Sequence, residues 1–319
     1  MIALAPLVAV AGPVQDTTRS LTWNAFVDTY YAWDFNRPTS LDRAFTTQPA
    51  RHNEFNVNLA YVEVRLTAPR MRGRLALQAG TSVQSNYAGE PRLGSISGPD
   101  LARHIQEAVV GVRAAPKLWI DAGIYLSHLG QEGWISRDNP TYSRSLIADY
   151  SPYYEAGVKA TWMASARLTG QLHLLNGWQN ISETNTSKAL GVRLDYVASP
   201  HLALGYDNFI GNEAPDTAAS RLRVFNEIFA FLNADPLSFW VTLDYGSQRR
   251  ASAPGTSTWY GGAAIARLRA VRAAPRRPRG GQRVRRRRRA PGAAGALAGD
   301  VVLRRAHHGQ AAGRRPGHR

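Results

Sequence analysis

One pattern limits what this chain can become. Apolar and polar residues alternate with a period of two in about twelve successive segments between Leu21 and Leu268: 21–35, 54–68, 72–86, 104–114, 117–128, 150–163, 166–178, 187–198, 201–211, 221–233, 236–248 and 257–268. Side chains on a strand point alternately to opposite faces, so each segment reads as a strand with one greasy and one polar face. In 118–128, Leu118, Ile120, Ala122, Ile124 and Leu126 oppose Trp119, Asp121, Gly123, Tyr125 and Ser127. In 150–163, Tyr154, Ala156, Val158, Ala160 and Trp162 oppose Glu155, Lys159 and Thr161. Tyr154 and Trp162 are expected at the two ends of that greasy face, roughly 20 Å apart along a barrel axis, as in the aromatic girdles that flank an outer-membrane band about 25 Å tall. A soluble sheet with one buried face would alternate in the same way. Two segments fit poorly: in 54–68 the apolar phase slips near Ala60, and in 221–233 Phe225, Phe229 and Phe231 share a face with Glu227. A bulge, or a strand emerging beyond the membrane, accounts for either.

The connections separate the two architectures. Five are short, around Pro69, Ala115-Pro116, Ala164-Ser165, Ser199-Pro200 and Asp235-Pro236, and four of these contain Pro, which presets turn dihedrals and cannot donate within a ladder. Between them lie longer polar links at 36–53, 87–103, 129–149, 179–186, 212–220 and 249–256. Short and long alternate without exception. Outer-membrane barrels sort their loops this way, with short periplasmic turns and long extracellular loops, whereas a soluble sandwich has no reason to. The expected fold is therefore all-β, an antiparallel transmembrane β-barrel of the porin type, with greasy faces toward lipid and polar faces toward a lumen.

Charge looks at first like a nucleic-acid signal, since the formal net charge is +16. Its location removes that reading. Residues 268–319 hold 16 of the 39 Arg and Lys and one of the 23 acids, Asp300, which leaves 23 − 22 = +1 for residues 1–267. This segment of 52 residues contains only Ala, Arg, Gly, Pro, Val, Leu, His, Gln and Asp, all encodable by codons beginning with G or C. A GC-rich gene read out of frame gives that composition. No aromatic is interleaved for base stacking, so no nucleic-acid partner is expected. The organisation read from the sequence is thus a signal-peptide-like segment at 1–11, a barrel at 20–268, and a disordered, out-of-frame tail at 269–319. Restoring the frame near Leu268 is expected to add alternating strands, for an even total of roughly 14–16. There is no cysteine, and no run of about 18 apolar residues that would read as a membrane helix.

Particular stretches carry a resemblance. YSRS at Tyr142–Ser145, PYYEAGVK at Pro152–Lys159, LLNGWQN at Leu174–Asn180, KALGVRLDY at Lys188–Tyr196 and GYDNFIGNE at Gly205–Glu213 resemble the OmpL-like family of outer-membrane β-barrel porins, over about residues 20–268. The resemblance implies an outer-membrane pore of Gram-negative bacteria. The family's later strands have no counterpart here.

By parity, the pore-lining candidates are Arg74, Asp121, Glu155, Lys159, Arg167, His173, Arg193, Asp195 and Asp244. Both signs occur, so no strong ion preference follows. The link 129–149 carries Trp134, Arg137, Asp138, Asn139 and Arg144 and is the best candidate to fold inward as a constriction. No HExxH, GxSxG or phosphate-cradling glycine loop is present, and His173 has no obvious Ser partner, so no enzyme, no metal and no cofactor are expected. The expected partners are the outer-membrane bilayer and small hydrophilic solutes that diffuse passively through the lumen. A structural or adhesive barrel with a plugged lumen and binding loops is the alternative.

Overall fold

A computed structural model describes residues 19–269 and the backbone of Ala298–Val301. Twelve long strands follow one another: β1 Ser20–Tyr31, β2 Phe55–Thr67, β3 Met71–Ala79, β4 Ile105–Ala115, β5 Leu118–Leu126, β6 Tyr154–Met163, β7 Leu168–Leu175, β8 Ala189–Ser199, β9 Leu202–Asn212, β10 Leu222–Ala234, β11 Leu237–Arg249 and β12 Thr256–Leu268. Each pairs antiparallel with its sequence neighbours, in the order of the chain. A four-residue strand, β13 (Ala298–Val301), pairs with Ala264–Arg267 of β12. Among the described residues nothing pairs with the outer edge of β1, so the sheet is not closed. The long strands run from 8 to 13 residues, bracketing the 9–11 that a tilted strand needs to cross a bilayer. No helix among the described residues is long and apolar enough to cross a membrane.

Short and long connections alternate as the sequence predicts. Six long loops lie on one side of the sheet: L1 (32–54), L2 (80–104), L3 (127–153), L4 (176–188), L5 (213–221) and L6 (250–255). The expected signal segment and most of the expected disordered tail lie outside the described residues.

Burial is inverted relative to a soluble protein. Leu172, Leu194, Ile228, Val241 and Leu243 stand exposed in mid-strand, while Glu63, Asp121, Glu155, His173, Asp207 and Glu227 are buried. That inversion is the signature of strands alternating between lipid and a polar interior. It makes a prediction, because the chain has no native cysteine. Val158→Cys and Leu172→Cys should be inaccessible to a membrane-impermeant thiol reagent in the assembled protein, and Thr161→Cys and Thr169→Cys accessible. Equal labelling of all four would reverse the assignment of faces.

Two local expectations change, and two points left open by the sequence are answered. The strand expected over 72–86 stops at Ala79; Gly80 (φ 143°) turns the chain into a short helix, α1 (Thr81–Tyr87). A Cβ at Gly80 would lie 2.3 Å from the Asn58 carbonyl oxygen, so no other residue fits that turn. The phase slip in β2 is a bulge: Asp28 pairs with Leu59 and Thr29 with Val57, leaving Asn58 as the extra residue. β10 has no bulge, and its pairing with β9 and β11 is continuous. Its inward aromatics have partners inside, since Phe225 meets Trp178 of L4 edge-on and Phe231 packs on Trp240. Finally, Tyr154 is no lipid-facing girdle residue. It is fully buried, stacked on Tyr87 at 4.1 Å, and its hydroxyl donates to Glu90 at 2.9 Å. L2 folds back over the end of β6 and covers it, and Ala156 is buried as well. Trp162, at the other end, remains exposed.

Candidate functional site

Register decides which charges meet on the inner face. Arg74 on β3 lies between Glu63 on β2 and Glu107 on β4 and ion-pairs with both. Asp121 on β5 accepts from Arg72 Nε at 2.6 Å, and the Arg72 guanidinium also sits 4.5 Å over the Trp119 ring. Lys159 on β6 places its ammonium 4.5 Å over the Tyr125 ring. On the opposite stretch of sheet, Arg193 on β8 pairs with Asp195 at 3.0 Å and Asp207 at 3.6 Å, and lies over Phe229 at 4.9 Å. Asp244 faces Glu227 directly across β10 and β11, and Glu227 in turn faces Asp207. Glu155 and His173 lie together beside His128 of L3. Arg167 is the exception: it lies in the turn before β7, exposed, and does not join the inner face.

L3 is bonded to inward-facing side chains from both ends of the sheet. At its start, the Gly130 amide donates to Asp207 at 3.1 Å and the Gln131 amide to Glu227 at 3.0 Å. The Gln131 side chain accepts from Thr242 of β11 at 3.2 Å. Further along, Ser136 and Tyr142 donate to Asp28 of β1 at 2.8 and 2.9 Å, and Arg137 to the Tyr61 hydroxyl of β2 at 2.7 Å. A loop tied at once to β1–β2 and to β9–β11 runs through the interior of the curled sheet.

The loop's own residues divide the work. Trp134 is buried among Leu59, Tyr61, Val83, Tyr87 and Tyr154 and donates to Ser82 at 3.2 Å. Arg144 is a clasp: it donates to the carbonyls of Gly133 and Tyr142 at 2.7 and 2.6 Å, to that of Trp134, and to the Gln48 side chain at 3.0 Å. Burial lowers the Arg144 guanidinium below its ordinary pKa, and these acceptors hold it in place. Asn139 folds the turn by donating to Gly133 O and Ile135 O at 2.9 and 2.8 Å. Arg137 and Asp138 are half-exposed on a single 3₁₀ turn, Ser136–Asp138.

Sequence reasoning missed Asp28, Glu63, Arg72, Glu107, Asp207 and Glu227 on the inner face. All six sit at inward parity within their strands. The signal for Glu227 was there, in its sharing a face with three phenylalanines, but it read as a defect.

Comparison with known proteins fits this architecture. The model of a family described as "Putative beta-barrel porin-2, OmpL-like" matches residues 20–271. No curated protein matches the chain. Among solved structures, OmpT, an outer membrane protein of Vibrio cholerae, is similar at 10% identity and a TM-score of 0.39, over 80% of this chain and 81% of that one. OccK8 (OprE) of Pseudomonas aeruginosa is similar at 12% identity and a TM-score of 0.37, over 81% of this chain and 66% of its own. OccAB4 of Acinetobacter baumannii is similar at 8% identity and a TM-score of 0.38, with the same coverages. With a family match across nearly all of the twelve-stranded, inside-out sheet, the chain belongs to the OmpL-like β-barrel porins of the bacterial outer membrane.

Proposed function

We propose that this porin is a passive diffusion pathway for small hydrophilic solutes, that L3 is its constriction, and that it performs no catalysis. The observation that carries the reading is the course of L3, bonded to inward side chains of β1–β2 and of β9–β11. A loop held across a polar lumen narrows it, and selection through the remaining opening would work by size and field. Arg72, Arg74 and Arg193 each hold carboxylates, and the Lys159 ammonium lies over the Tyr125 ring. Among the described residues no base lies within ion-pair distance of Glu227 or Asp244. Glu227 and Asp244 face each other and can share a proton, so with Asp207 they leave a modest negative field beside the start of L3, and a weak cation preference is expected.

Planar-bilayer recording of the full-length protein with its reading frame restored after Leu268 tests this. Stable conductance steps with a reversal potential on the cation-selective side are expected, and Asp244→Asn should move that potential toward zero. Silent bilayers containing folded protein would favour a plugged, structural or adhesive barrel. That second reading draws on the apolar cluster in which Trp134 and Ile135 of L3 pack against Leu59, Tyr61 and Tyr87.

A further inference from the structure

His128, Glu155 and His173 form a buried cluster that conduction does not need. His128 is the second residue of L3, Glu155 the second of β6, and His173 lies in β7. None is more than 3% exposed. The two imidazole rings stack with centroids 4.0 Å apart. His128 Nδ1 lies 2.9 Å from each carboxylate oxygen of Glu155, and His173 Nδ1 lies 3.9 Å from Glu155 Oε2. One ligand atom from each of the three side chains falls within 4.8 Å of the others.

The far sides of the rings fix what the near sides carry. His128 Nε2 is 2.8 Å from the Asn208 carbonyl oxygen. A carbonyl only accepts, so Nε2 holds a proton; Nδ1, 2.9 Å from both carboxylate oxygens, donates to Glu155 when the ring is an imidazolium and offers a lone pair on that side once a metal ion displaces the proton. His173 Nε2 faces the side-chain oxygen of Gln171 at 3.0 Å, which leaves its Nδ1 lone pair on the Glu155 side too. Ser127 Oγ donates to Glu155 Oε1 at 2.9 Å. Three donor atoms thus lie within 4.8 Å of one another, each steadied from behind by a carbonyl, an amide or a hydroxyl, and a modest tilt of the stacked imidazoles would aim both Nδ1 atoms at one ion. This is the outer shell that orients histidine and carboxylate ligands around a metal.

A proton between His128 and Glu155 would satisfy one pair and leave His173 Nδ1 with only the Tyr125 hydroxyl, 3.4 Å away. A metal ion satisfies all three. Bond lengths of about 2.0–2.2 Å to nitrogen and oxygen set donor–donor distances in a tetrahedral site near 3.4 Å, and the observed 2.9 and 3.9 Å bracket that value. Two imidazoles and one carboxylate form a borderline donor set that suits Zn²⁺ and its transition-metal neighbours rather than Ca²⁺ or Mg²⁺.

We propose that His128 Nδ1, Glu155 and His173 Nδ1 bind one divalent transition-metal ion, Zn²⁺ by preference, which fastens the root of L3 to the β6–β7 wall. The cluster escapes a motif search because its members are 27 and 18 residues apart and meet only through strand register.

Full-length protein folded in detergent and stripped with EDTA should take up one equivalent of Co²⁺ with the intense visible bands of a tetrahedral site, and Zn²⁺ should displace it. His173→Ala and Glu155→Gln should abolish that spectrum. Gln171→Leu, which removes only the partner of His173, should weaken binding by about 10–100-fold. His201→Ala, at an exposed histidine on another turn, should change nothing. Wild-type protein alone also decides the matter: its one-equivalent Cu²⁺ complex should give electron paramagnetic resonance splitting from two nitrogens. Absence of one-to-one binding, or binding that survives His173→Ala because His307 and His308 supply it, overturns the proposal. A porin that conducts but binds no metal would refute this inference and leave the diffusion reading intact.

Discussion

Leu194→Arg should sharply lower assembly, while Thr169→Arg, one step away across the β7–β8 ladder, should leave it nearly intact. The two positions sit at the same height. Leu194 pairs with Gly170 and Thr169 with Asp195. Leu194 is exposed on the outer face, and its side chain lies over the bare Gly170 backbone, 3.5 Å from where a Cβ would stand. A charge there enters hydrocarbon, at about 2–4 kcal/mol near the midplane. That is a large part of the net stability of an ordinary domain, about 5–15 kcal/mol. Thr169 points inward, where a guanidinium would face the carboxylate of Asp195. Folding into lipid vesicles, read by the heat-dependent gel shift of barrel proteins, measures both variants. Equal yields would contradict an outer face that meets lipid.

The same alternation explains how much of this protein was legible in its sequence. A barrel wall writes its two environments into adjacent residues, so Leu190, Val192 and Leu194 against Gly191, Arg193 and Asp195 fix the faces without any knowledge of neighbours. The prolines at 69, 116, 200 and 236 likewise mark turns through backbone chemistry alone. What depends on register or on loop path was not legible. Tyr154 carries every mark of a girdle aromatic, yet it is buried because L2 folds back over β6 and brings Tyr87 onto its ring. Asp207 and Glu227 sit at inward parity, but their importance comes from accepting the amides of Gly130 and Gln131, residues 77 and 96 positions away. By parity alone Arg193 is one more lumen charge. Its partners give it a different role.

Arg193→Ala should therefore do two things at once: lower the stability of the folded protein and raise its conductance, with noisier steps. The guanidinium donates to the carbonyls of His128 and Gly130 at 2.7 and 3.1 Å, so it holds the root of L3 by its backbone. It also supplies the positive charge beside Asp195 and Asp207 and lies against the Phe229 ring. Removing one partner of a buried ion pair costs about 3–5 kcal/mol, because the other charge stays behind uncompensated. Water in the lumen reduces that figure here, as Arg193 and Asp195 are about one-fifth exposed. The loop pays the remainder of the effect: without Arg193, its first turn loses the two carbonyl anchors and relies on the amide bonds of Gly130 and Gln131, the Thr242–Gln131 bond and the His128 and Ser127 contacts to Glu155. Arg193→Lys preserves the charge but not the fork that reaches two carbonyls and a carboxylate together, so it should fall between wild type and alanine in both measurements. Single-channel recording and denaturant unfolding separate the two consequences. If Arg193→Ala lowers stability with conductance unchanged, L3 does not limit the pathway, and the constriction lies elsewhere on the wall.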